Sequence, residues 1–367
     1  MKKAKLGLIA TLILVNFSFA KDFTLDEAIE LAKQNNSNLI TLKAEQRQQE
    51  KDYKSAKKDE QIWKSKQGYS LASAEDYLMH NGYASETAQL KYDLYLKSIE
   101  NAEDNVEYTL ISTLYNLELA GKNIEILEEN VELMEKQKLV YELKYKLNWI
   151  TKLDLDNFLI NLNQTKNTLE SAKAKYELGK ESVRIMLGQT EEVNVILPEI
   201  NNEEILIEDI NLYCSENIEK NKNLMSLRYN YRSLENYYIT LKKGFYDEIL
   251  PNAKFETKVQ KDNCEAMQQQ VDILVNNLST AYISNYNDIR MSDLSLIEQK
   301  NKLELAKTNM EIVKTRYDAG YVAELDYKAA CISLKQSEIS YESEKVNNML
   351  MKEKFKRFVD SGFTTVD

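Results

Sequence analysis

The sequence predicts a mainly α protein, built as long antiparallel helical hairpins in a tandem repeat with little or no β. Three observations carry that expectation. Nine Gly and two Pro (Pro198, Pro251) in 367 residues leave few helix breakers, well below ordinary usage. Ile99, Ala102, Val106, Leu110, Leu114, Leu117, Ala120, Ile124, Leu127, Val131 and Met134 recur every three or four residues, a sustained helix-period seam. RYDAGYVAELDY (316–327) echoes KYKLNWITKLDL (144–155), and the match runs on without a gap through NLNQTKNTLESAK (161–173) and SLKQSEISYESEK (333–345). A repeat of that length sets the architecture before any site is sought.

MKKAKLGLIATLILVNFSFA has a basic start, an apolar run, and Ser18 and Ala20 at small-residue positions. It reads as a signal peptide over residues 1–20. In FTLDEAIELAKQNNSNL, Thr24 and Glu27 form a capping box. It opens a helix from about Leu25 to Trp63, loosened at Asn35-Asn36. The seam predicts a helix from about Ser85 to Leu143, roughly 90 Å at 1.5 Å per residue. Asn148, which tolerates a left-handed backbone, turns the chain. A return helix starts at Thr151 or Asp154 and stops at Gly188 in RIMLGQ.

TEEVNVILPEINNEE (190–204) is a linker between a first repeat, 21–189, and a second, 205–367. The second repeats the plan, with helices over about 206–246, 266–316 and on to Val359, and a turn at Gly320. ILIEDINLYCSENIEKNKNL echoes the first half's opening, its Asn221-Lys222-Asn223-Leu224 matching Asn36-Ser37-Asn38-Leu39. Two pieces break the helical pattern. Residues 65–83 hold Gly68 and Gly82 with no clean period. Residues 249–263 contain Pro251, and AKFETKV alternates Phe255, Thr257 and Val259 like a strand.

Removing Lys2, Lys3 and Lys5 with the signal takes the formal charge from −11 to −14, a poor match to nucleic acid. A mean hydropathy of −0.52 excludes a polytopic helical membrane protein, and no later stretch is a spanning helix. Cys214, Cys264 and Cys331 form no CxxC and read as unpaired thiols. His80 is the only His. That removes most His-based metal sites and the Ser-His-Asp and Cys-His nucleophile systems. Glu128-Glu129 and Glu191-Glu192 read as solvated faces, not an enzyme site.

Taken in order, the opening FTLDEAIELAKQNNSNL, the two tips, the MLGQ ending and the duplication resemble the TolC family of outer-membrane efflux proteins. The resemblance spans most of the chain after the signal. It implies a homotrimer whose two-repeat subunits form a twelve-helix α-barrel in the periplasm. It also implies a β-barrel of four strands per subunit in the outer membrane, and docking to a periplasmic adaptor (membrane fusion) protein and an inner-membrane transporter. Type I secretion and drug or metal efflux are the implied roles, without catalysis and without a cofactor. Segments 65–83 and 249–263 are shorter than two membrane strands of about 9–11 residues each. A reduced or missing β-barrel is therefore expected. A coiled-coil envelope scaffold that lost its pore is the alternative.

The resemblance places the periplasmic gate at the turns. Its aspartate falls on Asp326, with Asp154 as the counterpart, and its gate-linking tyrosine falls on Tyr317. A second family acid falls on Ala329 and a family Arg on Val322, so both are absent, while Glu324 is an added acid. A ring of carboxylates attracts cations; the competing account of both aspartates is helix capping. Gly320 and Asn148 are turn formers. Tyr321, Val322, Trp149 and Ile150 are candidate adaptor contacts. The tyrosines of SLRYNYRSLENYYITLKKGFY (226–246) suit either helix packing or a membrane girdle.

Overall fold

The computed structural model describes residues 21–65, 73–246 and 253–363. Strand β1 (Lys21–Thr24) leads into α1 (Leu25–Asn35) and α2 (Ser37–Ser65). A short helix, α3 (Ala74–His80), precedes α4 (Tyr83–Lys146), and α5 (Lys152–Met186) returns. Strand β2 (Val193–Ile196) lies in the crossing to the second half. There α6 (Ile210–Asn217), a 3-10 turn (Ile218–Lys220) and α7 (Lys222–Tyr246) are followed by α8 (Ala253–Asp318) and α9 (Glu324–Ser361). The fold is mainly α, as expected.

Two helices set its dimensions. α4 has 64 residues and α8 has 66, each close to 100 Å long at 1.5 Å per residue. α2 and α5 pack end to end along α4, and α7 and α9 along α8. α9 also lies against α4 and joins the halves. Two apolar cores flank the upper part of α9. One gathers Ala28, Leu39, Leu110, Leu187, Val346 and Leu350; the other gathers Leu224, Val271, Tyr282, Ile289, Phe355 and Phe358. Leu39 and Leu224, the paired ends of the NSNL and NKNL echoes, are both fully buried.

The helix breaks follow local chemistry. Thr24 and Glu27 make the expected capping box. Asn36 interrupts α1–α2, and its side-chain oxygen accepts from the Leu39 N–H at 3.0 Å. Asn221 does the same in the second half, accepting from Asn223 and Leu224. The continuous helix expected over 206–246 is therefore divided at residues 218–221. An Asn side chain that takes over backbone N–H groups restarts a helix.

Three other expectations are corrected. AKFETKV is not a strand: residues 253–259 form the first turns of α8, thirteen residues ahead of the expected start at 266. Its alternation is incidental, since Phe255 and Val259 are both exposed, and Ala253, Lys254, Glu256, Lys258 and Gln260 around them favour helix. The 65–83 piece holds α3, opened by a Ser73–Asp76 capping box. The linker is not featureless, because β2 pairs in parallel with β1, Lys21 opposite Val193 through Thr24 opposite Ile196. Residues 66–72 and 249–252 of the two breaking pieces, and the signal segment 1–20, lie outside the described residues.

No described helix is long and apolar enough to cross a membrane. All three cysteines are free, Cys214 and Cys264 buried and Cys331 half-buried. The tyrosines between 226 and 238 are half-buried in α7, and the Tyr231 hydroxyl donates to Glu235 at 3.1 Å, which fits helix packing.

Candidate functional site at the hairpin tips

The two tips are built alike. In the first, Asn148 N–H donates to the Tyr145 carbonyl (2.9 Å) and Trp149 N–H to that of Lys144 (2.8 Å). In the second, Gly320 donates to Tyr317 (2.9 Å) and Tyr321 to Arg316 (2.8 Å). Both are Schellman closures around a left-handed residue, with φ of +58° at Asn148 and +77° at Gly320. This is the physical content of the echo: the same two hydrogen bonds, 172 residues apart.

The aspartates differ. Asp154 accepts from Thr151 N–H (2.9 Å) and from the Thr151 hydroxyl (2.7 Å), and Thr151 Oγ1 accepts from Asp154 N–H in return. It is the N3 partner of Thr151, the N-cap of α5, in a capping box. Those bonds, the hydroxyl's first, hold its carboxyl below the usual aspartate range. A depressed value means that the ionised cap helps folding above the ordinary aspartate range, and that the help fades as pH falls through the lowered value. Thr151→Ala should cost about 1 kcal/mol and fray this tip; faster amide hydrogen exchange at residues 152–156 checks it.

In the second tip Ala323 stands where Thr151 stands, and no side chain caps α9. Asp326 is exposed and makes no hydrogen bond or ion pair among the described residues. Capping thus accounts for Asp154 and leaves Asp326 free. Glu324 is 3.0 Å from Lys328 one turn on. Tyr317 stacks on Tyr327 across the hairpin, ring centres 4.4 Å apart. Tyr321 (84 %) and Trp149 (73 %) are among the most exposed large side chains; Val322 and Ile150 are half-buried.

A second charged centre escaped the sequence because its members are far apart in the chain. Arg357 of α9, nearly buried, donates to Glu107 (2.7 Å) and Glu353 (2.6 Å) and lies 3.9 Å from Asp104. Lys33 joins Glu107 at 3.1 Å. The cluster ties α1 and α4 to α9. No group of three or more His, Cys, Asp or Glu among the described residues is placed to hold a metal.

Long paired hairpins around two long helices, capped by two equivalent turns, recur in solved membrane channels. The outer-membrane channel OprN aligns over 92% of this chain and 90% of its own, with a TM-score of 0.67 and 12% identity. This chain has a TolC-like fold. CusC, a protein that forms a transmembrane channel, aligns over 95% of this chain and 94% of its own (TM-score 0.63, 12% identity). The outer membrane protein VceC of Vibrio cholerae gives 92% and 96% (0.60, 13%). Neither a sequence-family model nor a curated relative matches the chain. The TolC-like fold thus rests on geometry: sequence identity this low preserves helix lengths, turns and packing order while most side chains change.

Proposed function

We propose that the chain is one subunit of a homotrimeric efflux or export duct of the cell envelope, set in the periplasm and at the outer membrane. Its tips face a periplasmic adaptor and an inner-membrane transporter, as in type I secretion. The observation that carries this reading is exposed apolar surface along two helices. α5 leaves Leu153, Leu178 and Ile185 exposed, and α8 leaves Met291, Leu294 and Ile297 exposed. Exposed apolar stripes of that length call for a partner surface, and α5 and α8 make no principal contact with each other within the chain. Closing edge on edge around an axis makes a ring.

The outer-membrane end of the duct is reduced in this reading. Segments 65–83 and 249–263 are short in sequence for two membrane strands of about 9–11 residues each. That same shortness favours the second reading, a scaffold that kept the hairpins and lost the pore.

The native mass of residues 21–367, with and without mild detergent, separates the two. A trimer in both conditions is expected for the duct. A monomer in both would remove the ring.

The tip residues take their roles within the duct. Asp326 and Glu324, three copies each around the axis, would form the cation-attracting ring, with Tyr317 bracing the hairpin and Asp154 its cap. Trp149, Ile150, Tyr321 and Val322 would be the adaptor contacts. Neutralising both acids, Asp326→Asn with Glu324→Gln, should lower cation preference several-fold in a conductance or ion-flux assay; unchanged selectivity would remove the acids from the pore.

A further inference from the structure

β2 is a strand with one edge filled. It pairs with β1, and its other principal contact among the described residues is with α1. Apart from that ladder, residues 193–196 make no backbone hydrogen bond among the described residues. The outer row of N–H and C=O groups on such a strand is a template for another strand. Natural edges are usually blunted by a charge or a proline within the strand. Val193–Ile196, VNVI, contains neither. Val193 and Val195 pack against the first apolar core, while Ile196 is 61 % exposed.

A groove runs beside this strand. Val193, Asn194 and Val195 line a cavity of about 500 Å³ with Leu117 of α4 and Tyr176 and Val183 of α5. Consecutive strand residues point in opposite directions, so three in a row present the strand's edge and not one of its faces. A second cavity of about 430 Å³ shares Glu118 and Leu197 with the first and continues past Pro198 and Ile200. Side chains, and not a neighbouring strand, hold the crossing after β2. The Tyr115 hydroxyl donates to the Pro198 carbonyl (2.9 Å), the Asn202 amide donates to the Lys345 carbonyl (3.3 Å), and the Tyr286 hydroxyl accepts from Ile207 N–H (3.1 Å).

The charge beside the groove has one sign. From Glu191 to Asp209 the crossing carries seven carboxylates and no Lys or Arg. All seven are exposed. Only Glu192 has an ion-pair partner among the described residues, Lys180 of α5. Glu191 and Glu192 precede β2 and Glu199 follows it, so both ends of the open edge repel an acidic partner and attract a basic one.

We propose that the open edge of β2 takes an extended segment of a basic partner protein as an added strand. Main-chain hydrogen bonds to residues 193–196 supply affinity, and apolar side chains at alternate positions enter the groove. Lys or Arg between them meets Glu191 and Glu199. A second copy of this chain is a poor occupant, because its own edge brings the same acids. Leu117 lies about 45 Å along α4 from the tip at 1.5 Å per residue. The surface is therefore separate from the tip contacts, and it does not depend on the ring.

Short fluorescent peptides test this on the chain from residue 21 to 367. One alternates Lys and Val, one alternates Glu and Val, and one alternates Lys and Pro, which keeps the charge and removes donors. The Lys-Val peptide should bind about tenfold more tightly than either control, and should slow amide exchange at residues 193–196. Equal binding of the Lys-Pro peptide would reduce the effect to charge alone and overturn the proposal. Unchanged exchange at 193–196 would overturn it too. So would protection there that grows with protein concentration without peptide, since a second copy would then fill the edge. Ile196→Lys, which puts a blocking charge on the edge, should weaken binding about tenfold. Glu191→Gln with Glu199→Gln leaves the strand unaltered, and should weaken binding and flatten its salt dependence. Undiminished binding to both variants would place the peptide elsewhere and overturn the assignment.

Discussion

Alanine at Gly362, Gly188 and Gly320 should destabilise the protein in that order, by about 3–5, 2–4 and 1–2 kcal/mol. All three glycines have left-handed backbones, with φ of +74°, +63° and +77°. A residue with a Cβ pays about 1–2 kcal/mol for that conformation. At Gly320 nothing else is added, because no atom lies within 4 Å of where the Cβ would sit. At Gly188 the Cβ would stand 2.5 Å from the Asn35 amide. That amide donates to the Leu187 carbonyl at 2.8 Å, so moving it breaks a bond worth about 1 kcal/mol or more. Gly362 is nearly as close, and one of its neighbours is backbone. Its Cβ would meet the Asn221 amide at 2.6 Å and the Lys222 backbone nitrogen at 2.9 Å. Asn221 is buried and caps α7, and a backbone atom cannot rotate away, so strain of the overpacking kind is added. Denaturant midpoints at one fixed protein concentration measure the series. Equal shifts for the three variants would show that backbone conformation alone sets the cost.

What the sequence disclosed depended on the range of the cause. Helix period, capping boxes and left-handed turns are local, and the tips at Asn148 and Gly320, the Thr24 cap and the stop at Gly188 were all readable. Breaks set by one side chain were half readable. Asn36 was flagged as a loosening, yet its equivalent Asn221 sat inside an expected helix, because the echo showed likeness without showing which Asn would seize the backbone. AKFETKV failed for a different reason. Three alternating residues carry too little period to outweigh the helix formers around them, and continuity with α8 decided the matter. β1 and β2 pair residues 172 positions apart, and four-residue strands leave almost no pattern. At the candidate site, Asp154 and Asp326 hold matching places in the sequence, with capping the favoured account of Asp154 and Glu324 adding charge beside Asp326. The residue three positions earlier, Thr151 in one tip and Ala323 in the other, ties Asp154 into a capping box and leaves Asp326 without one.

The Arg357 cluster was illegible because its partners lie about 250 residues apart, and it supports the other large prediction. Arg357→Met should cost about 3–5 kcal/mol at neutral pH, since it leaves carboxylates partly buried without their cation. The side chain is 9 % exposed and serves Glu107, Glu353 and Asp104 together. Lys33 and Lys356 remain for Glu107 and Glu353, but Asp104 would have no cation left. The pH dependence follows from the two carboxyls that are shifted. Burial pushes Glu353 up, but the hydrogen bond and charge of Arg357 outweigh it and hold Glu353 below the usual range. Its ionised form therefore stabilises the fold above the ordinary glutamate range, a contribution lost as pH falls through the lowered value. Asp104 is the opposite case. Burial raises it, so its ionised form costs stability at neutral pH, and that cost is relieved on acidification. Without Arg357 both carboxyls fall into the second class. The variant should then recover stability between pH 7 and pH 5, while the parent gains little over that range. The gap between their denaturation midpoints should narrow accordingly. A gap that stays constant from pH 7 to pH 5 would mean that Arg357 acts through its packed stem and not through its charge.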